Sequence, residues 1–150
     1  MDELRERVLA YLHAHQVMTL ATCGPLGVWA AAVFYVNDGF VLYFLSAGHT
    51  RHARNMAAVP RVAATIQEDY RDWTGIQGIQ LEGEVVMLQG EERDTAVSLY
   101  TAKYPFITST NSQIRAALAR VNWYRLTPDK LFFVDNTKGL GHRDEVTELL

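Results

Sequence analysis

The segment that decides the fold comprises residues 28–45, with the sequence VWAAAVFYVNDGFVLYFL. Two runs rich in β-branched and aromatic residues, Val28–Val36 and Phe40–Leu45, flank an Asn-Asp-Gly sequence that is typical of a β-hairpin turn. The same turn argues against a membrane span over residues 28–47, although that stretch has about the length of one. The segment therefore predicts two antiparallel strands joined by a tight turn.

The first of these strands is apolar on both faces, because its residues do not alternate with polar ones. A strand of this kind has to be covered on both sides. One side can line a barrel interior, whereas the other needs a helix or a second subunit, so the pattern predicts a homodimer. The two faces consist of Trp29, Ala31, Val33 and Tyr35 on one side and Ala30, Ala32, Phe34 and Val36 on the other.

The rest of the chain predicts further strands, with helices at the beginning and in the middle. Short turns join several neighbouring strands, so antiparallel pairing is expected, and the lack of regular strand–helix alternation favours a closed barrel. We therefore predict a mainly β fold with peripheral helices, in a single domain over residues 1–150. The predicted helices cover residues 3–15, 50–59, 91–103 and 111–120, and the other strands cover 17–22, 61–67, 76–88, 121–126 and 130–134.

Glycine and proline add detail to this pattern. Gly78 and Gly83 lie inside a predicted strand, where glycines often mark a bulge or the close approach of another group. Residues 127–129, Thr-Pro-Asp, predict a turn between the last two strands. The tail over residues 135–150 gives no clear assignment.

The composition excludes several classes of function. The formal net charge is −3 and the basic residues are spread along the chain, so neither a nucleic-acid surface nor a membrane tether is expected. The single cysteine, Cys23, cannot form an internal disulfide and is expected to be a small buried hydrophobe. The charged N-terminus lacks a signal-peptide pattern, which together with the cysteine count favours a cytoplasmic protein.

Common catalytic and metal-binding motifs are absent from the sequence. There is no glycine-rich dinucleotide or phosphate loop, no His-Glu-x-x-His, no paired cysteines and no Gly-x-Ser-x-Gly. His49 and His52 are spaced so that they can share a metal, but no third ligand accompanies them. The sequence therefore predicts no metal site and no catalytic acid or base.

The most informative polar segment is FLSAGHTRHARN, residues 44–55, which runs from a strand into a helix. The start of a helix exposes N–H groups and a positive dipole end, Ser46 and Thr50 add hydroxyls, and Arg51 and His52 add basic groups. This combination is compatible with a phosphate site. The alternative interpretation is that Thr50 caps the helix, while the basic residues form a solvated face.

The order of these elements resembles the pyridoxamine 5′-phosphate oxidase-like FMN-binding split-barrel superfamily. The resemblance rests on the alanine-rich strand and the hairpin, followed by LYFLSAGHTRHARNMAAVPRVAATI (residues 42–66) and GIQLEGEV (residues 78–85). It covers residues 17–92 well and extends loosely to FVDNTKGLG, residues 133–141. It implies a six-stranded antiparallel split β-barrel with flanking helices, similar to small, poorly characterised members rather than to the oxidase itself.

The resemblance also implies a site for FMN between two subunits. Thr50, Arg51 and His52 match the family's Ser-Arg-Lys phosphate contact, and Ser46 is a second contact at the end of the preceding strand. The flavin ring is expected against the backbone of the alanine-rich strand, with glutamines at its edge. The implied cofactor-binding residues are Ala31, Ala32, Val33, Leu45, Ser46, Thr50, Arg51, His52, Gln77, Gln80 and Lys138.

Several positions depart from the oxidase pattern. Val28 and Val33 stand where the oxidase has an arginine and a lysine, and Gly78 falls near its glutamine. The C-terminal tryptophan and arginine of the oxidase have no clear match. These departures argue against pyridoxamine phosphate as the substrate, and they leave the tail to supply the missing positive charge, from Lys138, His142 or Arg143.

Three functions remain open from the sequence. The first is an FMN-dependent oxidoreductase whose redox substrate is a small molecule of unknown identity. The second is a haem- or cofactor-binding module without turnover, in which His49, His52 or His142 is an axial ligand. The third is a dimeric barrel without a cofactor that serves in protein interaction.

Overall fold

Inward and outward side chains alternate along the strands, so each strand has one face that contributes to a common core. The computed structural model describes residues 2–108 and 110–150. The strands are β1 (Val17–Gly24), β2 (Gly27–Asp38), β3 (Val41–Ala47), β4 (Arg61–Gln67), β5 (Gln77–Met87), β6 (Val121–Asp135) and β7 (Arg143–Val146). The α-helices in the described residues are α1 (Glu3–Ala14), α2 (Arg51–Ala58), α3 (Gly90–Lys103) and α4 (Ser112–Leu118). Short 3₁₀ segments occupy Trp73–Gly75, Pro105–Thr108 and Asn136–Lys138.

The strands form one antiparallel sheet in the order β3-β2-β1-β4-β5-β6-β7. A second pairing, between β3 and β6, closes the first six strands into a barrel. The seventh strand, β7, extends the sheet beside the second half of β6. The predicted six-stranded antiparallel barrel with flanking helices is therefore confirmed, with one additional strand.

The barrel interior is filled by the inward-facing residues of all six strands. Met18, Leu20, Ile66, Ile79 and Leu131 are each at most 1% exposed. Burying a side chain of this size contributes about 1.5–3 kcal/mol, so the interior dominates the stability of the fold. The predicted amphipathic helix α1 adds its own apolar face to this core, through Val8, Tyr11 and Leu12.

The predicted hairpin is present, because β2 and β3 pair across the turn with Asp38 opposite Val41. Gly39 has a φ of 59°, a left-handed conformation that glycine adopts without steric cost. The side chain of Asn37 donates through Nδ2 to the carbonyl of Gly39 at 2.9 Å. Local sequence is therefore sufficient to specify this turn.

The outer face of β2 is covered at one end only. Val36 is 6% exposed because α3 packs over it. At the other end, Val28 is 80% exposed and Ala30 and Ala32 are also exposed. The predicted requirement for cover is thus met by a helix for Val36 and remains unmet in the single chain for the alanine-rich half.

The prediction of a turn at residues 127–129 is wrong, because β6 continues through them as one strand. Pro128 lies opposite Gly83, where the register between β5 and β6 shifts. A proline is tolerated at such a bulge, since the regular ladder of hydrogen bonds is already interrupted there. The bulge predicted from glycine is confirmed at Gly83, while Gly78 marks a close approach to the carbonyl of Ile66.

The sheet also decides the exposure of Cys23. Cys23 is exposed, so the prediction of a buried thiol is wrong. The residue lies opposite Val28 on the outer face, because the alternation of β1 turns Met18, Leu20 and Thr22 inward. Among the described helices, none is both long and apolar enough to cross a membrane.

Candidate cofactor site

Three polar side chains meet where β3 ends and α2 begins. The Oγ of Ser46 lies 2.6 Å from Nε2 of His52 and 3.1 Å from Oγ1 of Thr50. Thr50 Oγ1 donates to the carbonyl of Ala47 at 3.0 Å and accepts from the backbone N–H of Ala53 at 3.2 Å. Thr50 is therefore the N-cap of α2, as the alternative interpretation of the sequence held, and it also anchors the cluster.

His52 contributes hydrogen bonding to this cluster more than charge. Its burial lowers the pKa of the imidazole below the ordinary value of 6.5. The ring is therefore neutral at pH 7, and a neutral ring has one nitrogen that accepts and one that donates. The basic residue expected beside the phosphate group is thus a polar, uncharged group at neutral pH.

Acidification is expected to destabilise the protein through His52. Because the folded pKa lies below 6.5, the unfolded chain takes up the proton first, and stability is lost as the pH falls below 6.5 through the folded pKa. Urea denaturation between pH 7.5 and pH 5 measures this loss. His52→Gln is expected to flatten that part of the pH profile, and an unchanged profile would contradict the assignment.

Arg51 is held against the β1–β2 hairpin. Its Nη2 donates to the carbonyl of Leu26 at 2.9 Å and approaches that of Val28 at 3.5 Å, while its guanidinium carbon lies 4.4 Å from the ring centre of Trp29. Its Nε is buried and has no hydrogen-bond partner among the described residues. An unsatisfied buried donor costs free energy, so an acceptor supplied by a ligand would stabilise this arginine.

The predicted ring contacts on β2 divide between its two faces. Ala31 and Val33 are half-buried on the face that leads to the buried Tyr35, whereas Ala32 is exposed on the opposite face. The register places further small residues on that exposed face, which the one-strand pattern did not reveal. They are Ala21 and Ala30, paired with each other, Thr19 opposite Ala32, and Ala63 and Thr65 on β4.

Leu45 and Ser46 also face opposite ways. Ser46 is buried on the same face of β3 as Phe44. Leu45, on the other face, packs with Trp123 in the cluster beneath α3. The side chain of Leu45 is therefore half-buried against the cluster beneath α3, on the face opposite Ser46.

The two predicted glutamines do not share a face, because three positions separate them on β5. Gln77 donates through Nε2 to Oδ1 of the buried Asp135 at 3.3 Å. Gln80 is exposed on the outer face, where its Oε1 accepts from Nη1 of Arg143 at 3.3 Å. One flat ligand on the outer face can therefore contact Gln80 but not the Gln77 side chain.

Arg143 brings a positive charge from β7 to the outer face. Its guanidinium carbon lies 4.3 Å from the ring centre of Phe132. Together with Gln80 and Ala63, these side chains line a shallow groove of about 200 Å³. The sequence had offered this arginine only as one of three charges in the tail, and the pairing of β7 with β6 decides its position.

Lys138 lies at the other end of the barrel from the polar cluster. It follows the last residue of β6, whereas Ser46 pairs with Asn122 at the start of that strand. The strand has 15 residues and rises about 3.3 Å per residue, so Lys138 and Ser46 of one chain cannot contact one ligand of FMN size. A site that contains both residues requires two chains.

The three histidines considered as alternative haem ligands do not lie in one place. His49 is exposed in the turn before α2. His142 has Nε2 at 2.9 Å from Oδ2 of Asp144, beside Lys138 Nζ at 3.8 Å from the same oxygen. Within residues 2–108 and 110–150, no group of three His, Cys, Asp or Glu side chains is arranged to hold a metal ion.

The closed barrel, with its extra strand and the polar cluster at the start of α2, defines a split-barrel protein. Residues 4–135 match a family model described as pyridoxamine 5′-phosphate oxidase. The chain belongs to this family, as a relative of its poorly characterised members.

Curated relatives carry the family name UPF0306. One from Photorhabdus laumondii is 33% identical over 135 residues, which span 89% of this chain and 88% of the relative. Another, from an Enterobacter strain, is 35% identical over 118 residues, or 77% of either chain. These similarities extend over most of the barrel.

Solved structures with the same fold include two proteins named for haem and one named as an oxidase. A heme binding protein from Mycobacterium smegmatis has a TM-score of 0.75 at 22% identity, over 98% of this chain and 59% of that one. HutZ, a heme storage protein from Vibrio cholerae, has a TM-score of 0.72 at 18% identity, over 87% and 94%. A putative pyridoxamine 5′-phosphate oxidase from Listeria innocua has a TM-score of 0.67 at 19% identity, over 86% and 96%. At these identities, the likeness is one of fold.

Proposed function

We propose that the protein is an FMN-binding flavoprotein and that it works as a homodimer, with the flavin between two copies of the chain. The observation that carries this proposal is the uncovered apolar face of β1 and β2. Val28 is 80% exposed there, and Ala30, Ala32 and Cys23 are exposed beside it. Small side chains leave room for a flat ring against the backbone, and a second chain would bury the remainder.

The cation beside the start of β2 suits the phosphate of FMN. Arg51 reaches the carbonyls of Leu26 and Val28 at the start of β2, so its guanidinium adjoins the exposed strand. Its unpartnered Nε fits an anionic acceptor, and Ser46 and His52 add two further polar groups nearby. The residues present therefore fit an anion linked to a flat apolar ring.

FMN supplies hydride-transfer chemistry when it is bound, and the chain supplies placement and polarity. Because Gln80 Oε1 accepts from Arg143, the amide N–H groups of Gln80 are free to donate to a ligand on the outer face. Lys138 reaches the site only from the second chain. We assign no catalytic acid or base, and we propose an oxidoreductase whose substrate is a small molecule.

The direct test is the visible spectrum of the purified protein before and after addition of FMN. We expect flavin absorption bands and quenched flavin fluorescence that titrate to one FMN per chain. Neither co-purified flavin nor saturable uptake of added FMN would overturn the proposal.

Arg51→Ala is expected to weaken FMN binding by about 1–3 kcal/mol, the loss typical of a charge-assisted hydrogen bond. Fluorescence titration of the variant measures the change in Kd. Arg93→Ala is the control, because Arg93 is exposed on α3. Unchanged affinity in Arg51→Ala would place the phosphate elsewhere.

Ala30→Lys is expected to convert the dimer into a monomer, because a lysine would be buried without a partner when the second chain binds. Sedimentation velocity with and without FMN measures the assembly state. Ala58→Lys introduces the same charge at an exposed position of α2 and is expected to remain dimeric. A wild-type monomer at high concentration with FMN would contradict the proposed interface.

The second candidate is a haem-binding module without turnover, favoured by the two solved structures named as haem proteins. His142 is the ligand that the geometry supports best, because Asp144 orients its ring in the way that carboxylates orient metal-bound histidines. A Soret band on haem titration that is lost in His142→Ala would favour this function over flavin binding.

A further inference from the structure

A cavity of about 290 Å³ lies between α2 and the strands β5 and β6, separate from the outer face of β1 and β2. Its floor is buried and mostly apolar, formed by Ala53, Met56, Val85 and Tyr124, which are 4%, 4%, 7% and 6% exposed. Its mouth is formed by Gly48, Arg54, Ala57, Met87 and Asn122. The volume is near the lower limit of about 300 Å³ for ligand pockets, so it excludes a flavin or a haem.

Tyr124 presents an unused donor in the floor of this cavity. Its ring stacks on Phe44 with centroids 5.3 Å apart, and its hydroxyl oxygen accepts a long hydrogen bond of 3.5 Å from Nδ2 of Asn122. Among the described residues, no acceptor receives the hydroxyl proton itself. Because Tyr124 lines the cavity, an oxygen atom of a bound ligand can accept this proton.

Arg54 adds a positive charge at the mouth. The side chain is exposed, and it forms no ion pair within residues 2–108 and 110–150. A guanidinium binds a carboxylate through two parallel hydrogen bonds. At the mouth, a Cβ on residue 48 would lie 3.1 Å from Nδ2 of Asn122, so a larger residue in place of Gly48 would crowd that side chain.

We propose that this cavity is a second ligand site, which binds a small apolar carboxylate. The apolar body lies against Met56 and Met87, the carboxylate pairs with Arg54, and the Tyr124 hydroxyl donates to a ligand oxygen. The site uses no residue of the proposed flavin face, so it does not depend on whether the protein binds FMN.

The test is NMR of the full chain labelled with ¹³C at the methionine methyl groups, titrated with benzoate. Saturable shifts are expected for Met56 and Met87, which line the cavity, but not for Met18, which is fully buried inside the barrel. Inorganic phosphate is expected to cause no such shifts. Equal shifts at all three methyl groups, or none that saturate, would overturn the proposal.

Two pairs of measurements identify the residues that benzoate binding requires. Ala57→Leu fills the mouth and is expected to abolish the shifts, while Ala58→Leu, one residue further on the same helix and outside the cavity, is expected to retain them. Arg54→Gln is expected to weaken benzoate binding by about 10-fold, as expected for loss of a charge-assisted pair, and to leave benzyl alcohol binding unchanged. Equal affinities of Ala57→Leu and Ala58→Leu, or equal losses for the two ligands, would contradict the proposed site.

Discussion

Gly83→Ala is expected to destabilise the barrel by about 3 kcal/mol, because there is no space for a methyl group at the bulge. A Cβ at this position would lie 2.1 Å from the carbonyl oxygen of Thr127 and 2.8 Å from Cα of Pro128. Both contacts are with backbone, so no side-chain rotation can relieve them. The two strands would have to separate at the point where β6 passes through its proline.

Urea denaturation of Gly83→Ala measures this effect, with Gly75→Ala as the matched control. Gly75 has no atom within 4 Å of the position of a Cβ, so its substitution is expected to change the free energy of unfolding by less than about 0.5 kcal/mol. Equal stabilities of the two variants would show that the bulge is not tightly packed.

Arg7→Met is expected to cost about 3 kcal/mol, because it leaves a buried carboxylate without its ion-pair partner. Asp135 is 1% exposed, and its Oδ2 lies 2.6 Å from Nη2 of Arg7. Methionine preserves most of the apolar stem and removes the guanidinium, whose carbon lies 5.4 Å from the ring centre of Phe133, so the loss reports mainly on charge. Arg71→Met, at an exposed position, is the control and is expected to be nearly neutral.

The same pair predicts a pH dependence of stability. Burial raises the pKa of the Asp135 carboxyl, but hydrogen bonds from Thr137, Arg7 and Gln77 outweigh burial, so the pKa lies well below its ordinary value of 3.8. Stability from this group is present above pH 3.8 and is lost as the pH falls toward the folded pKa. In Arg7→Met the folded pKa of Asp135 is expected to rise, so the stability lost below pH 3.8 is expected to be smaller than in the wild type, and identical losses in the two proteins would contradict this account.

The elements that the sequence predicted well are those specified by neighbouring residues. The β2–β3 hairpin follows from Asn-Asp-Gly between two apolar runs, and α1 follows from a helical spacing of apolar residues. The turn predicted at residues 127–129 was wrong, because a proline and its polar neighbours carry the same local signal in a turn and at a bulge. Only the glycine on the opposite strand distinguishes the two.

The site was predictable only in part, for a similar reason. Ser46, Thr50 and His52 lie within seven consecutive residues and meet at the start of α2, whereas the side chain of Arg51 turns to the β1–β2 hairpin. Ala30 and Arg143 could not be assigned in advance, because their position depends on strand register and on the pairing of the tail with β6. The sequence also placed Gln77 beside Gln80 at the edge of one ring, but β5 turns the two side chains to opposite faces.

The sequence by itself determined the strand-rich pattern, the hairpin and the amphipathic helix α1, and it offered the helix cap at Thr50 as one of two interpretations, since each depends on short-range geometry and side-chain character. Only the tertiary structure decided the closure of the barrel between β3 and β6, the passage of β6 through Pro128 and the docking of β7. Those features join residues that are far apart in the chain. Their free energy comes from packing and hydrogen bonds across strands, which no local pattern encodes.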